Sequence, residues 1–239
     1  MKPASLPKKS RPVRAVFFDA GNTLLRINYA AIAEQLNLHG IRRSHEAVAQ
    51  AEYRARVRLD PHLAPGASTE SHSVAGYYFR YILEGLGITD RQTCQALAQW
   101  RTHYNPPVGL WHVPDPEAEA ALKLTRATGC AAGVISNSNG SVRSILEETG
   151  LAAYLDFILD SAVVGVEKPD PRIFQLALAA ARVEPDAAVY IGDLYSVDVL
   201  GARRAGLAAV LLDPAGVWGK PDCPTARSLG DAVRLALGR

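Results

Sequence analysis

The sequence predicts an α/β protein: a Rossmann-like core of parallel strands and crossover helices, interrupted by an inserted α-helical segment. Three observations carry this prediction. Short apolar runs recur in the second half of the chain, separated by amphipathic stretches of helix length. One more such run stands near the start, and its next counterpart comes only at 130–136. Between the two lies a segment with helical periodicity and no clear strand.

The first strand is placed at 14–19, where Val16, Phe17 and Phe18 are consecutive and apolar, as expected of a strand covered on both faces. Later strands are CAAGVIS (130–136), DFILD (156–160), AAVYIGD (187–193) and LAAVLLD (207–213). Helical patterns at 115–128, 141–149, 171–182 and 196–205 separate or precede them. Pro116 and Pro171 suit first helical turns, and Gly206 suits a C-terminal cap. In the insertion, helices are expected at 29–38, 44–59, 72–86 and 91–104, with breaks at Gly40, Asp60-Pro61, Pro65-Gly66 and Gly87. The expected division is therefore a core of residues 13–26 and 113–239, an α-helical insertion over 27–112, and a basic tail over 1–12.

Bulk properties narrow the class. The 239 residues are 48% hydrophobic and 21% charged, enough for a sizeable core. A formal charge of +2 is too mild to argue for a nucleic-acid partner, and Lys2, Lys8, Lys9, Arg11 and Arg14 read as a solvated tail. Cys94, Cys130 and Cys223 are widely spaced, which fits a reducing compartment and offers no metal-ligand spacing. The opening MKPASLPKKSRPVR has no apolar signal-like run, and no window approaches the ~20 apolar residues of a membrane span. A cytoplasmic monomer or homodimer without membrane or nucleic-acid partners is expected. The insertion holds every histidine and no lysine, and its aromatic run GYYFRYI, with Tyr77, Tyr78 and Tyr81, reads as the core of a small helical unit.

In open α/β sheets, ligands bind beyond the carboxyl ends of the strands. Asp19, Ser136 and Asp193 end three of the predicted strands, so the topology brings three polar residues to one edge. Asp193 and Asp198 frame GDLYSVD, and Lys168 sits on the loop GVEKPDP. Carboxylates with one lysine at strand ends suit a magnesium and phosphate site. Magnesium takes hard oxygen ligands and keeps several waters, so a few carboxylates suffice. A carboxylate nucleophile needs a cation beside it, or it repels the phosphate it must attack, and lysine is a compact charge for that task. Ser136 and the backbone N–H of Asn137 are placed to bond phosphoryl oxygens. The expected partner is a small phosphorylated metabolite.

The ordered set DAGNTL (19–24), SN (136–137), KP (168–169) and GDLYSVD, with EKPDPRIF and GARRAG around it, resembles the haloacid dehalogenase superfamily from about 14 to 213. The insertion resembles the cap of the subclass with an α-helical cap. The resemblance implies Asp19 as nucleophile and magnesium ligand, passing through an aspartyl intermediate. It implies Thr23, Ser136 and Asn137 as holders of the transferred group, with Lys168 neutralising charge. Asp193 and the Gly21 carbonyl would ligate magnesium, and Asp198 would support the metal or Lys168.

Gly21 departs from that pattern. Phosphatases of the family carry a second aspartate there, which protonates the leaving oxygen and then activates water. Glycine keeps the carbonyl, loses the acid and permits a positive φ, while the amide of Asn22 has no titrating proton. Since general acid–base catalysis contributes ~10² to 10⁴ in rate, the loss weighs on poor leaving groups most. Four readings follow. A magnesium-dependent phosphatase could act on a good leaving group or take its proton from a cap histidine or tyrosine. A 2-haloacid dehalogenase needs no proton for halide, but Asp193 argues against it. A phosphonate hydrolase needs a cap lysine for its Schiff base, and the insertion has none. A non-catalytic descendant would not be expected to spare Asp19, Thr23, Ser136, Lys168, Asp193 and Asp198 together. A phosphomutase would need the absent acid in both directions. The first reading leads.

Overall fold

The computed structural model describes residues 11–63, 68–69 and 71–239. The expected tail up to residue 10 and the Pro65-Gly66 break lie outside the described residues. In chain order come β1 (Ala15–Phe18), β2 (Leu25–Ile27), α1 (Tyr29–Leu38), α2 (His45–Leu63), α3 (His72–Gly85) and α4 (Arg91–His103). Then follow β3 (Trp111–Pro114), α5 (Ala118–Ala127), β4 (Ala131–Ser136), α6 (Val142–Glu148), β5 (Phe157–Asp160), α7 (Ser161–Val164) and α8 (Pro171–Ala181). The chain closes with β6 (Ala188–Gly192), a π-helical turn (Tyr195–Val199), α9 (Leu200–Arg204), β7 (Ala208–Leu212), β8 (Thr225–Ala226) and α10 (Leu229–Ala236).

Six strands pair in the order β5-β4-β1-β6-β7-β8, all parallel. The fold is thus the Rossmann-like α/β arrangement that the sequence predicted. The first strand lies inside the sheet because both of its neighbours come later in the chain. The topology switches sides beside it, which opens a crevice at its carboxyl end. Side chains of β1 alternate between two cores. Val16 and Phe18 pack with Leu122 and Leu146 of α5 and α6 and Val233 of α10, whereas Ala15 and Phe17 pack with Ile173, Phe174 and Ala202 of α8 and α9. In the ladder, Phe18 stands opposite Val134 and Ile191. That register puts Asp19, Ser136 and Asp193 within one residue of a common level.

The inserted helices have a core of their own, including Ile32, Leu36, Val48, Leu59, Tyr78 and Ile82. Asn28, Ser71 and Asp90 cap α1, α3 and α4 by accepting backbone N–H bonds. The predicted break at Asp60-Pro61 does not occur, because α2 runs on to Leu63. Pro61 falls in the last turn, so only two helical residues follow it, and buried Leu59 and Leu63 hold that turn against the insertion's core. The antiparallel pair β2–β3 joins insertion to sheet, and Arg26 on β2 is 2.6 Å from Asp115 just after β3. Among the described residues, no helix is long and apolar enough to cross a membrane.

Candidate active site

Asp19 follows the last residue of β1, and its N–H continues the ladder to the Ile191 carbonyl at 2.8 Å. The Ala20 carbonyl then accepts from the N–H groups of Thr23, Leu24 and Leu25, closing a tight turn that leaves the Asp19 side chain on the crevice. Lys168 reaches it from the loop before α8: its Nζ donates to Asp19 Oδ1 at 2.6 Å, to Asp198 Oδ1 at 2.8 Å and to the Tyr190 hydroxyl at 2.8 Å. Lys168, Asp19 and Asp198 are all buried. In such surroundings these charges are tenable only together, since removing one partner strands another.

Asp198 has a second task. Its Oδ2 accepts from the N–H groups of Asp193 at 3.0 Å and Leu194 at 2.9 Å, so it folds the strand end back on itself. The π-helical turn brings Asp198 round, and Gly192 makes room for it. A Cβ on residue 192 would stand 2.4 Å from the Asp198 carboxyl carbon. The side chain of Asn137 likewise clamps the Lys168 peptide: Oδ1 accepts from the Lys168 N–H at 2.7 Å and Nδ2 donates to its carbonyl at 2.9 Å. Ser136 ends β4 beside it, buried on the crevice.

The electrostatics follow from burial. Desolvation pushes the Asp19 carboxyl up to about 6 even though the Lys168 ammonium pulls it down. Burial pulls Lys168 down, but Asp19 and Asp198 outweigh it and hold the ammonium above the ordinary lysine value. Asp193 is pushed well above the usual carboxylate range by burial; Arg56 opposes this, and Asp19 and Asp198 add to it. Asp19, Asp193 and Asp198 each offer an oxygen within 4.8 Å of the others. Three close, desolvated carboxylates are short of positive charge, and hard oxygen donors in that arrangement fit a magnesium ion.

The helical insertion supplies the opposite side of a cavity of about 290 Å³. Arg56 of α2 is fully enclosed and reaches Asp193 Oδ2 at 3.5 Å. Its guanidinium binds Glu52 through Nε and, at 2.6 Å, through a terminal nitrogen, and Glu52 also accepts from the hydroxyls of Tyr29 and Tyr78. Asn22 links the two sides: Nδ2 donates to Tyr78 at 3.1 Å and to Asp193 at 3.4 Å, and Oδ1 accepts from the Trp111 indole at 3.2 Å. Asn22, at φ 54°, rather than Gly21 takes the left-handed conformation that the sequence reading allowed for glycine; its short amide tolerates it. What glycine does at 21 is admit Trp111, whose ring lies 3.3 Å from where a Cβ would stand.

The structure therefore brings Asp19, Gly21, Ser136, Asn137, Lys168, Asp193 and Asp198 together around one cavity. Thr23 is the exception. It is fully buried off the cavity, and its hydroxyl has no partner among the described residues. No histidine among the described side chains is placed to supply the acid absent at 21. Among the described side chains none lines the cavity; His62 bonds Tyr81, His103 bonds the Gln99 carbonyl, and His112 bonds Tyr104. Tyr78 does line it, but burial holds its hydroxyl well above the ordinary tyrosine value, and it already donates to Glu52. Sequence reasoning missed Arg56, Trp111 and Arg101, and weighed Asn22 only as a proton source. A signal for Arg56 was present, since Glu52 and Arg56 are opposite charges one turn apart on the otherwise apolar stripe of Val48, Ala55, Leu59 and Leu63.

A family model described as haloacid dehalogenase-like hydrolase matches residues 13–206. The chain belongs to the haloacid dehalogenase-like hydrolases. It is 33% identical over 216 residues to the bovine (Bos taurus) haloacid dehalogenase-like hydrolase domain-containing protein 3, covering 85% of each chain. It is 43% identical over 123 residues to a phosphoserine phosphatase of Thermus thermophilus, covering 51% of this chain and 49% of that one. Its fold matches a crystal structure of a haloacid dehalogenase-superfamily phosphatase from Thermococcus onnurineus with TM-score 0.59 at 22% identity, over 95% of this chain and 98% of that one. The protein is a hydrolase of this family.

Proposed function

We propose that the protein is a magnesium-dependent phosphatase for a small phosphorylated metabolite whose leaving group departs without protonation. The observation that carries this reading is the buried Lys168–Asp19–Asp198 cluster beside Asp193, with Trp111 standing where the family's second aspartate would project. Residues 13–26 and 113–239 form the catalytic unit in this reading, and 27–112 the cap.

Asp19 attacks phosphorus through its carboxylate, the P–O bond to the leaving group breaks, and an aspartyl phosphate forms at Asp19; water then releases phosphate. Lys168 holds the Asp19 charge and faces the transferred group. Ser136 and the backbone N–H of Asn137 bond phosphoryl oxygens, while the Asn137 side chain fixes Lys168. Asp19, Asp193 and the Gly21 carbonyl would hold magnesium, which when bound supplies positive charge to the phosphoryl oxygens. Asp198 is a positioning residue: its lone pairs serve Lys168, Tyr190 and two backbone N–H groups. Thr23, off the cavity, supports the turn rather than the substrate.

Without an acid at 21, alkyl phosphates should react poorly and aryl, enol or acyl phosphates well. A screen of aryl, acyl and sugar phosphates with magnesium and with chelator tests this. Rates that need metal and rise with leaving-group acidity are expected. Metal-independent halide release from 2-haloacids, with no phosphate release, would show that Asp19 attacks carbon instead.

A further inference from the structure

The cavity has a second guanidinium, and among the described residues no carboxylate answers it. Arg101 lies in the last turn of α4 and lines the cavity from the side of the helical insertion, as do Tyr78 and Trp111. Its Nε is sealed from solvent and has no hydrogen-bond partner among the described residues. Its guanidinium carbon is 5.8 Å from the Phe79 ring centre, and it forms no ion pair with any described residue. Arg56 is the contrast. Burial acts on both, but Glu52 and Asp193 hold Arg56 well above the ordinary arginine value, whereas burial alone acts on Arg101 and pulls it down. A desolvated donor left without an acceptor is unfavourable, and a charged one more so. A guanidinium presents a fork of donors that matches carboxylate or phosphate.

We infer that Arg101 binds a second oxyanion, a carboxylate or a second phosphate, carried by the leaving group of the substrate. The inference rests on the phosphatase reading for the position of the first phosphate. Asp19, Ser136 and Lys168 take the phosphoryl group at the floor, so a group held by Arg101 belongs to the part of the substrate that departs. A cavity of about 290 Å³ lies at the small end of ligand sites, which limits the body between the two anions to a small one. Tyr78 and Trp111, stacked with ring centres 5.8 Å apart and 18° between planes, offer that body a flat wall. The substrate class is then a compact phosphate ester of an acidic hydroxyl, anionic at both ends.

Binding separates this inference from the reading beneath it. With magnesium present, calorimetry on the full chain would compare phenylphosphonate, 4-carboxyphenylphosphonate and benzene-1,4-diphosphonate, none of which can be hydrolysed to phosphate. At least one doubly anionic ligand should bind about tenfold or more tighter than phenylphosphonate, as expected of a charged hydrogen bond. The preferred one identifies the oxyanion. In Arg101→Gln that preference should vanish, and in Arg101→Lys part of it should remain. Arg101→Gln breaks no hydrogen bond or ion pair to a described residue, so its melting temperature should equal or exceed that of the wild type. Equal affinities for the three ligands in the wild type, or a preference that survives Arg101→Gln, overturn the inference. Failure of aryl phosphate turnover with the Arg101-dependent preference intact would instead overturn the phosphatase reading and leave the anion site standing.

Discussion

Gly21→Asp replaces the hydrogen of a residue whose backbone is free of left-handed strain, so the obstacle is Trp111. A Cβ there would meet the indole at 3.3 Å, a few tenths of an ångström closer than ordinary contact, and the carboxyl would extend beyond it. Trp111 is half-buried, held by one hydrogen bond to Asn22 and a stack on Tyr78. Displacing it should cost about 1–3 kcal/mol, as overpacking does, with the low end favoured by its partial exposure. A well-placed general acid is worth ~10² to 10⁴, and a misplacement of an ångström can forfeit ~10² of that. The expected gain in kcat/KM for an alkyl phosphate such as glycerol phosphate is therefore up to about 100-fold. For para-nitrophenyl phosphate it should be under about threefold, because that leaving group departs as an anion. Adding Trp111→Leu should recover stability and enlarge the selective gain. The assay is the ratio of the two kcat/KM values, with thermal melting and magnesium titration as controls. A folded, metal-binding variant with no selective gain would refute the reasoning and mean that wild type already has a proton donor.

Other expectations concern the charges around Asp19. Asp193→Ala should weaken magnesium affinity by calorimetry while leaving melting little changed, because Asp193 is buried at an electrostatic disadvantage. Asp198→Ala should do the reverse. It strands Lys168 and the N–H groups of Asp193 and Leu194, and should lower stability by ~3–5 kcal/mol in denaturant titration. Glu52→Ala frees the enclosed Arg56, for a loss of similar size, ~3–5 kcal/mol, and should also weaken magnesium binding as the guanidinium turns to Asp193. Equal stability in Glu52→Ala and wild type would show that the Glu52–Arg56 pair is not an essential part of the helical insertion.

The legible part of the fold and site was the part written in local pattern. The apolar runs of β1, β4, β6 and β7 end in polar residues, and strand-end logic alone put Asp19, Ser136 and Asp193 on one edge. Helices α1, α3 and α4 fell within a residue of their periodic stretches. The β2–β3 pair escaped because its strands have three and four residues, too few for a period. Pro61 misled because proline's effect depends on how near the helix end it falls, and that end is set by Leu63 packing in the insertion. The half of the cavity built by Arg56, Tyr78, Arg101 and Trp111 was illegible for a related reason. Its residues lie far apart in sequence, and only the docking of the helical insertion against the sheet brings them together. The contact of Asn22 with Trp111, 89 residues away, was illegible in the same way.

The most direct measurement looks for the covalent bond at Asp19. Wild-type protein turning over para-nitrophenyl phosphate with magnesium would be quenched, reduced with borohydride and mapped by peptide mass spectrometry. An acyl phosphate at Asp19 is reduced to homoserine, so the expected result is that conversion at residue 19 alone, absent from Asp19→Asn and from chelated samples. Sustained phosphate release by Asp19→Asn, or wild-type turnover with every Asp19 peptide unmodified under conditions that reduce an acyl phosphate standard, would contradict the assignment of Asp19 as nucleophile.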